Sequence, residues 1–165
     1  MQPQSFYHVV TEDFAKVDNL IKQQLTSNVP LVEKIGDYII SAGGKRLRPL
    51  LVLLAGNALN KSDEELCLLA AVIEFLHTST LLHDDVVDKS DLRRGRATAN
   101  ANWGNAPSVL VGDFLYARSF EMMVRLASLP VMQIISNATR IIAEGEVLQL
   151  TKIRDASTTE DTYMQ

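Results

Sequence analysis

Cysteine is almost absent from this sequence, since Cys67 is the only one among 165 residues. No disulfide can therefore form within the chain. The sequence also lacks any run of about 18 consecutive apolar residues, so we expect no membrane span. It carries no excess of positive charge either, because 16 basic and 20 acidic residues give a net charge of −4. We therefore expect a cytoplasmic protein that does not have nucleic acid as a partner.

Alternation of apolar and polar residues, which is typical of half-buried strands, is missing throughout, and so are internal repeats. Apolar residues instead recur at helical spacing, which predicts an all-α fold. The longest predicted helix runs from about residue 63 to residue 88 and would be close to 40 Å long, at about 1.5 Å per residue. Ser62 and Glu65 are spaced as a capping box at its start. Two further long helices are predicted at residues 109–126 and 131–151.

The last residues of the chain predict the start of another helix. Ser157 with Glu160, or Thr158 with Asp161, has the spacing of an N-terminal cap. A capped helix of less than two turns is not stable by itself. We therefore expect residues 1–165 to be the N-terminal part of a larger single domain.

Three aspartates stand at the C-terminal end of the predicted long helix. At about 100° per residue, Asp84 and Asp88 lie about 20° to either side of His77, whereas Asp85 lies about 80° away. Two carboxylates four residues apart repel each other, and the C-terminal end of the helix dipole adds to that cost. A bound divalent cation reverses both effects, and Mg²⁺ takes few protein carboxylates. A magnesium site and a solvated acidic helix end are both open interpretations of the aspartates alone.

Basic residues gather in two places along the chain. A turn opened by Gly43–Gly44 carries Lys45 and Arg48 at the start of a predicted helix. Glycine permits close approach of the backbone, and a helix N-terminus attracts anions, so this turn is suited to phosphate. Arg93 and Arg94 follow the acidic helix and point in different directions, so each can hold a different anion. The alternatives are a basic loop without a ligand and surface ion pairs of little energy.

Four motifs follow one another along the chain: Gly-Gly-Lys-x-x-Arg-Pro, Glu-x-x-His, Asp-Asp-x-x-Asp and Arg-Arg-Gly. In this order they resemble the trans-isoprenyl (polyprenyl) diphosphate synthases, and the resemblance covers nearly the whole chain. It is strongest to the bacterial branch that makes octaprenyl chains for quinones. The family implies an antiparallel helix bundle of the isoprenoid synthase type. This chain would be an incomplete N-terminal part of that bundle, because the family's second aspartate-rich motif and its downstream Lys-Thr pair are missing.

The resemblance also implies roles for the acidic motif and for the first arginine that follows it. Asp84 and Asp88 would bind Mg²⁺, and Asp85 would support them. Arg93 would contact the allylic diphosphate.

Other matched positions would hold the second substrate or shape the product. Ser79 and Thr80 are small where bulky aromatics in the family block the product tunnel early, which implies a medium or long chain. Gln149 would lie near the reacting centre. Isopentenyl diphosphate would be held by Lys45, Arg48, His77 and Arg94.

The implied activity is a magnesium-dependent prenyl transfer that adds isopentenyl diphosphate units to an allylic diphosphate such as farnesyl diphosphate. The product would be a lipophilic all-trans polyprenyl diphosphate, and the enzyme would be a homodimer. Two alternatives stay open. One is a class I terpene cyclase, which would have no use for Lys45, Arg48 and Arg94. The other is a non-catalytic partner subunit or inactive fragment of a synthase, which the missing second motif would suit.

Overall fold

The computed structural model describes residues 4–42 and 44–164, and within them the chain forms nine helices and one short two-stranded hairpin. The prediction of an all-α fold is therefore confirmed. The elements in chain order are α1 (Gln4–Val9), α2 (Thr11–Gln24), α3 (Pro30–Ser41), α4 (Leu47–Ala58), α5 (Glu64–Val87), β1 (Leu92–Arg93), β2 (Arg96–Ala97), α6 (Ala99–Trp103), α7 (Asn105–Arg125), α8 (Leu129–Lys152) and α9 (Glu160–Tyr163).

The α5 helix forms the centre of the first of two compact units, which extends to Ala127. It packs most extensively against α7 and also against α4 and α2. Phe75 and Leu82 are completely buried, and small residues such as Ala70 and Ala71 allow the neighbouring helices to approach closely. Because α5 meets helices on several sides, its sequence is apolar almost all round.

The apolar character of α5 has a second consequence. Among the described residues, α5 is the one helix that is long and apolar enough to cross a membrane by length and composition alone. Its apolar window of 18 residues has a mean hydropathy of 1.6, and 61% of that window is buried inside the fold. Packing against the neighbouring helices therefore accounts for the hydropathy of α5.

The start of α5 lies one residue from its predicted position, but the prediction of its cap was wrong. The carboxylate of Asp63 accepts a hydrogen bond of 2.8 Å from the backbone N–H of Leu66. The hydroxyl of Ser62 instead donates to the carboxylate of Asp13, at 2.5 Å. Glu65 pairs with Lys61 on the surface. Asp13 is only 7% exposed, so its carboxylate needs a hydrogen-bond donor inside the protein. Ser62 supplies that donor and therefore does not cap the helix in the way that the local sequence pattern predicted.

The segment after α5 is a hairpin, which sequence periodicity did not predict. β1 pairs antiparallel with β2 in register Leu92 with Ala97 and Arg93 with Arg96. The two residues between the strands, Arg94 and Gly95, both have positive φ, at 52° and 77°. Positive φ at both central positions defines a type I′ turn, which matches the twist of paired strands. Two-residue strands are too short to show an alternating pattern.

Aromatic side chains fasten the hairpin to α3 and α6. The hydroxyl of Tyr38 donates a hydrogen bond of 2.6 Å to the carbonyl of Ala97. The Tyr38 ring packs edge-on against Trp103, with ring centroids 5.0 Å apart. The guanidinium of Arg96 lies over the other ring surface, 4.6 Å from the centroid of Tyr38. The hairpin is thus a fixed part of the first unit.

The second unit begins at Ser128 and contains α8 and α9. The Ser128 hydroxyl accepts a hydrogen bond from the backbone N–H of Val131, and Pro130 occupies the first turn of α8. The short final helix exists as predicted. Its cap is Thr159, which accepts from the N–H of Thr162, rather than Ser157 or Thr158.

The observed cap of α5 predicts a specific loss of stability. Replacing Asp63 by alanine leaves a first-turn N–H without its acceptor and should lower the free energy of unfolding by about 1 kcal/mol. Glu65→Ala is the matched control, because this exposed residue makes only a surface ion pair and should cost less than about 0.5 kcal/mol. Urea unfolding followed by circular dichroism measures both. A larger loss for Glu65→Ala would restore the capping-box interpretation.

Candidate active site

The acidic end of α5 separates its three aspartates by burial. Asp84 is half-buried and Asp88, the C-terminal cap of the helix, is exposed. Asp85 is 1% exposed and faces the protein interior. This difference follows from the helical angle, because Asp85 lies about 80° from the line through His77 while the other two flank that line. Only Asp84 and Asp88 are therefore placed to share one ion.

These two carboxylates fit an incomplete magnesium site. Among the described residues, no three histidine, cysteine, aspartate or glutamate side chains come close enough to hold a metal ion by themselves. Mg²⁺, however, commonly uses one or two protein carboxylates and completes its octahedron with waters and substrate phosphates. Asp84 and Asp88 supply that number of ligands at a helix end where a cation is electrostatically favoured.

About one turn before the aspartates along α5, a cavity of about 560 Å³ is lined by residues of α3, α4, α5 and the hairpin turn. Its lining combines apolar and cationic side chains, and Glu74 is the acidic residue among the described residues that line it. The four residues predicted to hold isopentenyl diphosphate all line this cavity: Lys45, Arg48, His77 and Arg94. The fold thus brings together side chains that lie up to 49 positions apart, between 45 and 94 in the numbering.

The turn before α4 is shaped so that its basic residues border the cavity. The Tyr7 hydroxyl donates a hydrogen bond of 2.8 Å to the carbonyl of Lys45 and so ties the turn to α1. Arg46 adopts a left-handed conformation, with φ of 43°, and pairs with Asp18 at 2.8 Å. Gly44 lies directly against the guanidinium of Arg94, where a β-carbon would meet Nη1 at 2.5 Å. The neighbouring residue 43 is outside the described residues.

The close approach at Gly44 couples this position to Arg94. Any side chain at this position would displace the guanidinium of Arg94 from the cavity wall. Tyr7 is a residue that sequence reasoning missed, because nothing in the local pattern of α1 connects it with a turn 38 residues away.

The titratable groups inside the cavity are shifted by burial and by the surrounding cations. Burial first, and then the charges of Arg48 and Arg94, lower the pKa of His77 to about 4. Burial raises the pKa of Glu74, while Arg46, Arg48 and Arg94 oppose that rise. At neutral pH His77 is therefore a neutral imidazole, which can give a hydrogen bond to an anion without adding charge.

The side chains of the two adjacent arginines point in different directions, as predicted. Arg94 lines the cavity, whereas Arg93 turns toward α5 and binds the carboxylate of Asp85 with hydrogen bonds of 2.8–3.0 Å. The contact with Asp85 raises the pKa of the Arg93 guanidinium, and the charges of Asp84 and Asp88 act in the same direction. Arg93 thus stands close to both carboxylates of the candidate metal site.

The two residues predicted to control product length lie on different sides of α5. Thr80 is half-buried, and its hydroxyl donates to the carbonyl of His77 at 2.8 Å. Ser79 is 1% exposed, and its hydroxyl has no hydrogen-bond partner among the described residues. A buried hydroxyl without a partner carries a free-energy cost, so Ser79 lowers the local stability of α5.

Gln149 lies on α8, in the second unit, and its side chain is exposed. Its placement near the reacting centre stays a prediction.

His83 is a second residue that sequence reasoning missed. Its ring Nε2 lies 3.2 Å from the carbonyl of Val109 and 3.3 Å from a carboxylate oxygen of Asp113. A β-carbon on Gly112 would overlap the same ring. His83 therefore joins α5 to α7 next to the acidic motif. The pair Gly112–Asp113 was the available signal, because a glycine inside a long helix often marks a close contact.

Comparison with known proteins places this arrangement among the all-α synthases of isoprenoid chains. The model of the family described as polyprenyl synthetase matches residues 29–165. The chain belongs to that family. Its predicted resemblance is thereby confirmed.

The octaprenyl diphosphate synthase of Escherichia coli strain K12 is 51% identical to this chain over 165 residues, which are 100% of the chain and 51% of that protein. The crystal structure of a decaprenyl diphosphate synthase from Rhodobacter capsulatus superposes with a TM-score of 0.93 at 48% identity, covering 97% of this chain and 50% of that one. The crystal structure of a polyprenyl synthase from Caulobacter crescentus CB15, complexed with calcium and isoprenyl diphosphate, superposes with a TM-score of 0.90 at 46% identity. The match covers 96% of this chain and 48% of that one. The chain thus spans about half the length of these relatives.

The lowered pKa of His77 predicts a pH dependence of stability. Between about pH 6.5 and pH 4 the unfolded chain binds a proton at this residue and the folded chain does not, so stability should fall as the pH falls through that window. His77→Gln should flatten this slope. Urea unfolding at pH 7.5 and at pH 5.0 measures the difference, and the pH 7.5 pair is the control because the residue is neutral in both states. An unchanged slope would show that His77 is not the group responsible.

Proposed function

We propose that this chain supplies the first half of a prenyltransferase that adds isopentenyl diphosphate units to an allylic diphosphate. The observation that carries the proposal is the cavity about one turn before the two aspartates along α5, since the four matched residues for isopentenyl diphosphate all line it. Octaprenyl diphosphate, for quinone side chains, is the product that we infer from the 51% identity to the Escherichia coli enzyme. We also propose a cytoplasmic homodimer and residues 1–165 as part of one catalytic domain.

The residues divide the two substrates between them. Lys45, Arg48 and Arg94 would bind the diphosphate of isopentenyl diphosphate, because guanidinium and ammonium groups form charge-assisted hydrogen bonds with phosphate oxygens. Neutral His77 would donate one more hydrogen bond. On the other side of the hairpin turn, Arg93 would contact the allylic diphosphate.

The chemistry needs no side-chain nucleophile. The bond between C1 of the allylic chain and its diphosphate oxygen breaks, and the double bond of isopentenyl diphosphate forms a new carbon–carbon bond to C1. The released pyrophosphate then takes a proton from C2 of the isopentenyl unit, next to the new cation at C3. The double bond that forms between C2 and C3 makes the product an allylic diphosphate five carbons longer. Arg93 would stabilise the charge of the leaving pyrophosphate by electrostatic contact. The apolar wall formed by Ile39, Ile40 and Leu81 would limit access of water to the cation.

Mg²⁺, held by Asp84 and Asp88, would supply Lewis-acid stabilisation of the departing diphosphate. The Caulobacter crescentus relative, whose structure is described as complexed with calcium and isoprenyl diphosphate, supports a divalent cation in this family.

The two alternatives from the sequence are weaker for specific reasons. A terpene cyclase would not need the second cationic cluster that surrounds the cavity. A purely structural subunit would gain nothing from Asp84 and Asp88, which repel each other at the negative end of a helix dipole. An inactive fragment is compatible with both features, so activity has to be tested both for this chain and for a chain that also contains the other half of its relatives.

An extension assay tests the proposed reaction. The chain alone, with Mg²⁺, farnesyl diphosphate and labelled isopentenyl diphosphate, should give no product ladder, because it spans about half of its active relatives. A chimera in which the C-terminal half of the Escherichia coli octaprenyl diphosphate synthase follows this chain should extend the primer, and chelation with EDTA should stop it. Silence of a folded chimera would contradict the proposal and favour the partner-subunit interpretation.

Product length provides a separate prediction. Ser79→Tyr in the same chimera should shorten the product, because a bulky ring at this buried position narrows the space beside α5. Ser79→Ala is the matched control, since it removes the unpartnered hydroxyl without adding volume and should leave product length unchanged. Thin-layer chromatography of the dephosphorylated products measures both, with melting temperatures to verify folding. An unchanged length in a folded Ser79→Tyr variant would remove Ser79 from the tunnel.

A further inference from the structure

The contact between Asp85 and Arg93 is the most complete side-chain ion pair at the acidic end of α5. Arg93 Nε lies 3.0 Å from both carboxylate oxygens of Asp85, and Nη2 lies 2.8 Å from Oδ1. The carboxylate is 2% exposed and the arginine side chain 27%. A buried carboxylate that receives three charge-assisted hydrogen bonds is satisfied by the protein itself and is not placed to serve as a metal ligand.

The backbone of Asp85 holds the same hairpin from a second direction. Its carbonyl accepts hydrogen bonds from the N–H of Ser90 at 2.9 Å and from Nδ2 of Asn100 at 3.4 Å. The hydroxyl of Thr98 in turn donates to the carbonyl of Ser90 at 2.8 Å. The segments just before and just after the hairpin are therefore attached to the residue whose side chain binds Arg93, which fixes the arginine relative to α5.

The geometry leaves one edge of the Arg93 guanidinium for another anion. Asp85 occupies the edge formed by Nε and Nη2. The opposite edge, formed by Nη1 and the second hydrogen of Nη2, makes no hydrogen bond to the described residues. A planar guanidinium can bind two anions in this way, one at each edge.

We propose that Asp85 is a positioning residue for the allylic diphosphate: it holds Arg93 by one edge so that the other edge meets a diphosphate bound beside Asp84 and Asp88. The three aspartates would then have two tasks, since two bind the metal ion and the middle one orients the arginine. This inference rests on the proposed function and goes beyond it by assigning a non-metal role to Asp85.

Kinetics of the active chimera test the pair as a unit. Asp85→Asn and Arg93→Gln should each raise KM for farnesyl diphosphate about tenfold, because each removes a charge-assisted contact. The KM for isopentenyl diphosphate should stay within about twofold, since that substrate's cavity is lined by Arg94 and not by Arg93. The double variant should be no worse than Arg93→Gln alone. Additive losses, or equal losses for both substrates, would overturn the proposal.

Metal binding gives a readout that does not depend on turnover. Titration with Mn²⁺ followed by electron paramagnetic resonance should show nearly unchanged affinity in Asp85→Asn and clearly weaker affinity in Asp84→Asn, the matched variant one residue away. Equal weakening in both variants would make Asp85 a metal ligand and overturn the proposal.

The two proposals can fail separately. If the unmodified chimera does not extend a primer, the proposed function fails. Calorimetric titration of the same folded chimera with inorganic pyrophosphate and Mn²⁺ still tests whether Asp85 positions Arg93. If it does, Asp85→Asn and Arg93→Gln should weaken pyrophosphate binding to the same extent, and the double variant should bind no more weakly than either single variant. Unchanged pyrophosphate binding in both would overturn it, whatever the activity.

Discussion

The α5 helix is enclosed by α2, α4 and α7, and this enclosure decides where charged groups can stand in the first unit. A buried helix cannot carry unpaired charges along its length, because each would lose its hydration. Its charged residues therefore concentrate at the two ends and on the one face that opens to the cavity. At the C-terminal end Asp88 is exposed, Asp84 is half-buried and Asp85 lies in the interior, where Arg93 compensates its charge.

The same enclosure leaves two differently charged regions next to a single turn, one at the cavity and one at the acidic end of α5. The cavity is lined by Lys45, Arg48 and Arg94 together with His77, whose lowered pKa leaves its imidazole uncharged at neutral pH. At the acidic end of α5, Asp84 and Asp88 lie near Arg93, whose guanidinium is bound by Asp85. Under the proposed function, the two diphosphates would therefore be bound by different groups.

Much of the fold could be predicted from the sequence, because long helices leave a periodic signal. The extent of α5 was predicted to within one residue at each end, and the residues Lys45 and Arg94, which were predicted to act together, line the same cavity. What could not be predicted depends on distant contacts. The hydroxyl of Ser62 donates to Asp13, 49 residues away, instead of capping α5. The hydroxyl of Tyr7 donates to the carbonyl of Lys45, a contact that no local pattern indicates. The strands of the hairpin have two residues each, which is too short for an alternating pattern to appear.

The turn at Arg94 and Gly95 has an energetic consequence for the protein as a whole. An arginine with φ of 52° occupies a conformation that costs about 1 kcal/mol, and glycine at that position would relieve it. The chain thus gives up some of its thermal tolerance to keep a guanidinium on the wall of the cavity. Selection for heat resistance alone would therefore favour loss of Arg94, whereas the proposed role of this guanidinium in substrate binding would favour its retention.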